Sequence, residues 1–255
     1  MVHDLVRTDM RRNILPVSLL LALLLSTLQP FLGPTAGSAE QIRAAIPAPQ
    51  PEAWWMERHE RAVARIRQGH VDLLFIGDSI TQGWEEDGRQ VWNAFYQRRH
   101  AANLGYNGDQ TDNVLWRLQN GELDGITPKL AVVMIGTNNA TMREDPPEYT
   151  AAGIQAILTT LRTRLPGTKI LLLAIFPRGL TNDDLFRRVN EAVNERLPAF
   201  ADQRRVFFLN LNRRFLDGQG GLSAEIMSDA LHPSALGYRI WAEGIEDMVK
   251  RLMEE

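Results

Sequence analysis

Between residues 71 and 250, short and almost wholly apolar runs alternate with longer stretches whose apolar positions recur every three or four residues. An unbroken apolar run of this length predicts a strand covered on both faces, and the three-to-four spacing predicts an amphipathic helix. Strands are expected at 73–76, 100–104, 129–135, 169–176 and 205–211. Helices are expected at 52–67, 89–98, from 111 to 118, and at 147–165, 183–200 and 234–253. On the first helix Trp55, His59, Val63 and Ile66 fall on one face, so the tryptophans read as packing residues. His59 and His70 have no carboxylate or second histidine at ligand spacing and read as structural or exposed. Segment 215–227 holds several glycines and reads as a loop. Strands that alternate with helices of this length need right-handed crossovers, which yield a parallel sheet covered on both sides. The fold class is therefore α/β. No internal repeat and no second composition zone is visible, so one domain over 52–255 is expected.

Composition narrows the picture without changing it. The chain has 255 residues, 44% of them hydrophobic and 23% charged, with a formal net charge of −3 and no cysteine. That charge gives no electrostatic reason to expect a nucleic-acid partner. The lack of cysteine excludes disulfides, thiolate metal sites, a cysteine nucleophile and lipid attachment to an N-terminal cysteine. Arg7, Arg11 and Arg12 precede an apolar stretch from Ile14 to Leu28, and small residues follow up to Ala39. This order predicts a secretory signal over 1–39 and an exported protein, periplasmic or extracellular. The apolar stretch is shorter than the ~20 residues that span a bilayer, although an uncleaved anchor is the alternative. Residues 40–51, rich in Ala and Pro, read as a linker.

The chemistry collects where strands end. The first strand stops at Gly77-Asp78-Ser79, the second at Gly105-Tyr106-Asn107-Gly108-Asp109 and the third at Gly136-Thr137-Asn138-Asn139. In a parallel sheet these turns share one edge, where open α/β sheets place their ligands. Gly77 reads as the residue that lets the backbone turn sharply. From its own stretch Ser79 is either a nucleophile or a helix cap, and both readings are open. Near the C-terminus, Asp229 and His232 stand three residues apart, close enough to share one face of a turn. A serine needs a base to take its proton, an imidazole can do so near neutral pH, and a carboxylate fixes the imidazole tautomer. The N–H groups of Ser79 and Gly108 and the amide of Asn138 are candidate donors to an oxyanion. One such donor is worth ~3–4 kcal/mol of transition-state stabilisation. Each residue alone also has a plain structural reading as a turn or a cap; their joint placement in turns after successive strands favours acyl transfer. The Gly-x-Ser-x-Gly elbow of the other large hydrolase fold is absent.

On these four blocks the chain resembles the SGNH (GDSL) hydrolase family. Its Ser, Gly, Asn and His blocks match Gly77-Asp78-Ser79, Gly108-Asp109, Gly136-Thr137-Asn138-Asn139 and Asp229-x-x-His232. The stretches 103–109, 114–123, 133–139 and 177–179 are similar to the branch that contains the catalytic subunits of platelet-activating-factor acetylhydrolase. The resemblance implies a flavodoxin-like three-layer αβα sandwich on a five-stranded parallel sheet. It implies Ser79 as nucleophile, His232 as base and Asp229 as its partner, an oxyanion hole of Ser79, Gly108 and Asn138, and no metal or other cofactor. It also implies that Ile80, Thr137 and Leu231 shape a small acyl pocket. The branch has glycine where this chain has Asn107, which places Asn107 against the substrate or alters how Gly108 is held.

The expected function is a secreted serine esterase that removes short acyl groups, acetyl above all, from a glycan or other polar ester. An acetylhydrolase acting on phospholipid esters is the alternative. A metal-dependent phosphoesterase and a noncatalytic glycan-binding domain are readings of other classes. The expected partner is a small-molecule or glycan ester, without stable membrane insertion after signal cleavage; a homodimer is compatible with the sequence.

Overall fold

The computed structural model of the chain describes residues 42–254. The expected signal segment, residues 1–39, lies outside them, as do Glu40 and Gln41 at the start of the expected linker. Five parallel strands form one sheet: β1 (Leu73–Gly77), β2 (Ala101–Gly105), β3 (Leu130–Met134), β4 (Lys169–Leu173) and β5 (Val206–Leu209), in the order β2-β1-β3-β4-β5. The strand order reverses direction at β1, with β2 on one side and β3 on the other, and crevices at the carboxyl ends form at such a switch point. Pairing runs in register from Leu73 opposite Ala101 to Gly77 opposite Gly105.

Alternation along the strands divides the core into two layers. Leu74 and Ile76 of β1, Ala131 and Val133 of β3, and Ile170 and Leu172 of β4 face one cluster. That cluster is completed by residues of α1 (Ala53–Arg67), α4 (Thr111–Gln119), α6 (Pro147–Arg164) and α7 (Leu185–Asn194). Leu73, Phe75, Leu130, Val132, Leu171 and Leu173 face the other. There they meet α2 (Ser79–Gln82), α3 (Arg89–Phe95) and α8 (Ala235–Met253). A short helix, α5 (Thr137–Met142), follows β3. The result is a three-layer αβα sandwich, as the sequence implies.

Two expectations change. Residues 42–51 do not run free as a linker. A short 3-10 turn at Arg43–Ala45 buries Ala44. The strap is then tied to α4 by Thr111 Oγ1 donating to Ala44 O (2.7 Å), Ala48 N to Asp112 O (3.1 Å) and Asn113 Nδ2 to Ala48 O (3.0 Å). Proline and alanine here give an extended path without a free backbone donor at each proline, and the remaining polar groups find partners on the domain. The expected helix at 183–200 ends at Asn194 and continues as a 3-10 turn at Leu197–Phe200, where Pro198 carries no N–H for an α-helical bond.

Gly77 is required for a reason other than a sharp turn. Its φ is not positive; instead a Cβ there would lie 2.2 Å from Thr81 Oγ1 and 2.3 Å from Met134 O. The first turn of α2 folds back onto the strand end, and only hydrogen fits between them. Gly77→Ala is expected to cost about 3 kcal/mol in urea denaturation, the upper part of the overpacking range. Gly167→Ala, whose Cβ would meet no atom within 4 Å, is the control and should leave the midpoint unchanged.

Candidate active site

The carboxyl ends of β1, β2 and β3 deliver the turns that the sequence singles out. Asp78 is the N-cap of α2, its Oδ1 accepting the Ile80 N–H at 3.0 Å, so Ser79 is the first helical residue rather than the cap. That position leaves the Ser79 N–H without an intrahelical partner. After β2, the Tyr106–Asp109 turn is closed by Asp109 N donating to Tyr106 O at 3.2 Å. Gly108 occupies its third position with φ +73, where glycine is favoured. After β3, Asn138 in α5 donates through Nδ2 to Asp109 O at 3.0 Å, which ties the third turn to the second.

The fourth piece comes from a loop far along the chain. Asp229 Oδ1 accepts the N–H groups of Leu231 (3.0 Å) and His232 (2.7 Å), and its Oδ2 meets His232 Nδ1 at 2.6 Å. One carboxylate thus folds the loop and orients the ring. The fold of this loop forces Ala230 into the left-handed region at φ +58, an unusual state for a residue with a Cβ. Gly179 N donates to Ala230 O at 2.8 Å and helps to hold it there. His232 Nε2 then stands 2.9 Å from Ser79 Oγ, across 153 residues of sequence. On α8, just beyond the loop, Tyr238 Oη donates to Ile80 O at 2.7 Å, so the helix that follows the histidine also anchors the residue after the serine.

Of the expected residues, Ser79, Asp229, His232 and Asn107 line one cavity of about 340 Å³, together with Gln82, Glu86, Asp87 and Tyr238. Ile80 and Thr137 are each 1% exposed and do not line it; Leu231 is half-buried beside the histidine. The Thr137 hydroxyl accepts from Arg178 Nη1 (3.0 Å) and Asn190 Nδ2 (3.1 Å). Gln50, Gln82 and Arg178 were not marked by the sequence as site residues. Gln50 carries no local motif and reaches the site from a distant segment, whereas Gln82 stands three residues beyond Ser79 on α2 and Arg178 lies within the 177–179 stretch. No group of three or more His, Cys, Asp or Glu side chains among the described residues is placed to hold a metal ion. His59 is buried between Glu122 and the Asn120 carbonyl.

Beneath the turns lies a buried charge network. Arg117, fully buried, donates from Nε to Asp109 Oδ2 (2.7 Å) and from Nη1 to Glu122 Oε2 (2.5 Å). Two buried carboxylates share one guanidinium. Desolvation raises both, but Arg117, His59 and Tyr106 outweigh it for Glu122, which is held below its ordinary range. Asp109 is pushed up to about 6 by burial, opposed by Arg117, Trp55 and Gln50. Asp78 is pushed up to about 7, chiefly by burial and then against the Ile80 N–H that lowers it. Among the described residues its Oδ2 has no hydrogen-bond partner. Asp229 behaves oppositely: partial burial raises it, but the His232 ring and the two loop N–H groups hold it below the usual carboxylate range.

The sign for Asp78 is fixed by linkage. A carboxyl whose folded pKa exceeds its unfolded value binds more protons when folded, so it lowers stability as pH rises through that interval. Asp78→Asn removes this term. Its stability relative to the parent should rise by roughly 4 kcal/mol between about pH 4 and pH 8, read by urea denaturation at each pH. A relative stability independent of pH would contradict a buried, titrating Asp78.

Comparison with known proteins agrees with this geometry. Residues 75–240 match the model of the GDSL-like lipase/acylhydrolase family. The chain is 36% identical over 204 residues to platelet-activating factor acetylhydrolase IB subunit alpha2 of Rattus norvegicus, covering 79% of this chain and 86% of that protein. It is 35% identical over 223 residues to the alpha1 subunit of Homo sapiens, covering 86% and 94%. A GDSL-like lipase from Bacteroides thetaiotaomicron has the same fold, with a TM-score of 0.59 at 20% identity over 76% of this chain and 97% of its own. The four sequence blocks, the sheet they end on and these relatives converge: the chain belongs to the GDSL-like lipase/acylhydrolase family and is a carboxylic ester hydrolase.

Proposed function

We propose that the chain is a serine esterase that removes acetyl or similarly short acyl groups from a polar, hydroxyl-rich alcohol such as a glycan, after export from the cell. The observation that carries the mechanism is the continuous chain from Asp229 Oδ2 through the His232 ring to Ser79 Oγ, with links of 2.6 and 2.9 Å. In this reading Ser79 Oγ attacks the ester carbonyl while His232 Nε2 takes its proton. The tetrahedral oxygen is met by the N–H groups of Ser79 and Gly108 and the Asn138 amide. His232 then passes the proton to the leaving alkoxide, leaving an acyl-serine. Water, deprotonated by the same imidazole, releases the acid and restores the serine. Asp229 keeps its negative charge throughout and stabilises the imidazolium.

The acyl side supports a short chain. Ile80 and Thr137 are packed into the core rather than lining the cavity, and no Leu, Ile, Val, Met or Phe side chain lines it, so it offers no apolar channel for a long acyl group. The alcohol side supports a polar leaving group. Its cavity carries Glu86, Asp87 and Asp229 beside Gln82, Asn107 and Ser228, an acidic, hydrogen-bonding lining that suits neutral hydroxyls better than a phosphate. The phospholipid reading remains the second one, favoured by the name of the curated relatives. The signal-like segment supports export, and no helix among the described residues is long and apolar enough to cross a membrane.

The purified chain should hydrolyse p-nitrophenyl acetate faster than the palmitate ester and keep its activity in EDTA. Ser79→Ala should lower kcat by at least ~10⁴-fold, and Asp229→Asn by ~10²–10⁴-fold, with the imidazole left in the wrong tautomer. Faster turnover of palmitate would overturn the acyl-size reading. Release of acetate from acetyl phospholipid but not from acetylated xylan would overturn the glycan reading.

A further inference from the structure

Gly108 sits in a turn that would be loose on its own. Its φ of +73 favours a residue without a Cβ, and the same freedom lets the peptide planes beside it swing. The group of interest is the peptide between Asn107 and Gly108. Its carbonyl belongs to Asn107 and its N–H to Gly108, and in a planar trans peptide the two point in opposite directions. Whatever holds the carbonyl therefore aims the N–H.

The holder is Gln50, from the N-terminal strap. Its Nε2 donates to Asn107 O at 3.1 Å and to Asp109 Oδ1 at 2.7 Å. Both bonds flank Gly108, and a Cβ at Gly108 would lie 3.6 Å from the same nitrogen. On the other side of Asn107, its N–H donates to Gln82 Oε1 at 2.8 Å. Asn107 is thus pinned at its N–H by one glutamine and at its carbonyl by another. A hydrogen bond to the carbonyl of a peptide also polarises its N–H and strengthens it as a donor.

We propose that Gln50 is a positioning residue for ester hydrolysis: its side-chain amide aims and polarises the Gly108 N–H toward the developing oxyanion. This rests on the reading of Gly108 as an oxyanion donor given above. An oxyanion donor stabilises the transition state only when it meets the oxygen at about 2.7–3.1 Å, so a peptide plane that wanders loses most of the effect. Docking of the strap does not depend on Gln50. Ala44 and Ala48 are bound to Thr111, Asp112 and Asn113 independently of it. The role of Gln50 is therefore separable from the folding of its segment.

The test uses the full chain with p-nitrophenyl acetate as substrate, comparing Gln50→Ala and Gln50→Glu with the parent. Gln50→Ala should lower kcat about tenfold, less than the ~10²–10³-fold loss of a donor removed outright, with KM within about twofold. The melting temperature should move by only a few degrees. Gln50→Glu is nearly isosteric but cannot donate to Asn107 O when ionised; once protonated, its O–H can. The ratio of its kcat to that of the parent should climb as pH is lowered from about 8 to about 5. Position 50 is faced by Asp109 and, round the adjoining cavity, by Arg43, Glu52, Asp112 and Arg143. These groups are common to both proteins. A Gln50→Ala kcat within twofold of the parent, a loss confined to KM, or a Gln50→Glu ratio flat in pH would overturn the proposal. If Gln50→Ala does not fold, the Gln50→Glu ratio decides alone. A parent that leaves the ester intact, or a Ser79→Ala variant as active as the parent, would instead overturn the serine mechanism itself.

Discussion

One buried guanidinium holds together the turns on which the site is built. Arg117 binds Asp109, the residue after Gly108, and Glu122 with two of its nitrogens. Its remaining terminal nitrogen donates to Gly77 O (3.3 Å) at the end of β1 and to Leu104 O (3.1 Å) in β2. Its plane lies over the Tyr106 ring, 3.7 Å from the centroid. A cation fully removed from water is costly unless its donors are met, and here two carboxylates and two carbonyls accept four hydrogen bonds from it. Tyr106 and His59 both bind the other oxygen of Glu122, Oε1, and Trp55 Nε1 donates to Asp109 at 2.7 Å. Removing either carboxylate would leave a buried guanidinium donor without its acceptor. The network acts as a rigid floor beneath the β1 and β2 turns rather than as a source of net stability.

The charge placed at the site follows from that floor. Burial has to be compensated for each carboxylate in turn, and one arginine does not suffice for all of them. Glu122 stays ionised, Asp109 is displaced upward, and Asp78, with one oxygen unpartnered, is displaced further. Asp229 differs because it is exposed and accepts three hydrogen bonds from its own loop and histidine. Asp229, which faces the His232 imidazole, is therefore kept ionised as Glu122 is. Arg178, half-buried against Thr137, has its own charge disfavoured by desolvation, countered by Asp184, Asp78 and Asp229.

Much of the architecture is legible from local pattern. Leu73 to Ile76 is covered on both faces, as an unbroken apolar run requires, and its alternate residues enter different core layers. The last helix runs over Ala235–Met253, close to the expected 234–253, with the Ser234 hydroxyl accepting the Gly237 N–H as its cap. Local reading fails where a residue answers to something distant. Gly77 looks like a turn residue but is small because Thr81 and Met134 crowd it. Pro47, Pro49 and Pro51 look like linker residues, yet their segment is fastened to α4 by backbone groups that composition does not reveal. His59 has no partner at ligand spacing, and finds Glu122 across 63 residues.

Periodicity and turn chemistry are properties of neighbours in sequence, so the chain by itself determined the alternating strands and helices, the parallel sheet and the polar turns at its carboxyl edge. The identity of the chemical groups on offer (a hydroxyl, an imidazole, a carboxylate and amide donors) is likewise written in the residues. Their convergence is not. The hydroxyl and the imidazole meet across 153 positions because Tyr238 locks α8 onto α2 and Ala230 accepts a strained backbone. Gln50 meets the Gly108 turn across 57 positions because the strap is docked elsewhere. Such contacts depend on how whole layers pack, a sum over many weak interactions that no short stretch of sequence contains, and the tertiary structure alone decided them.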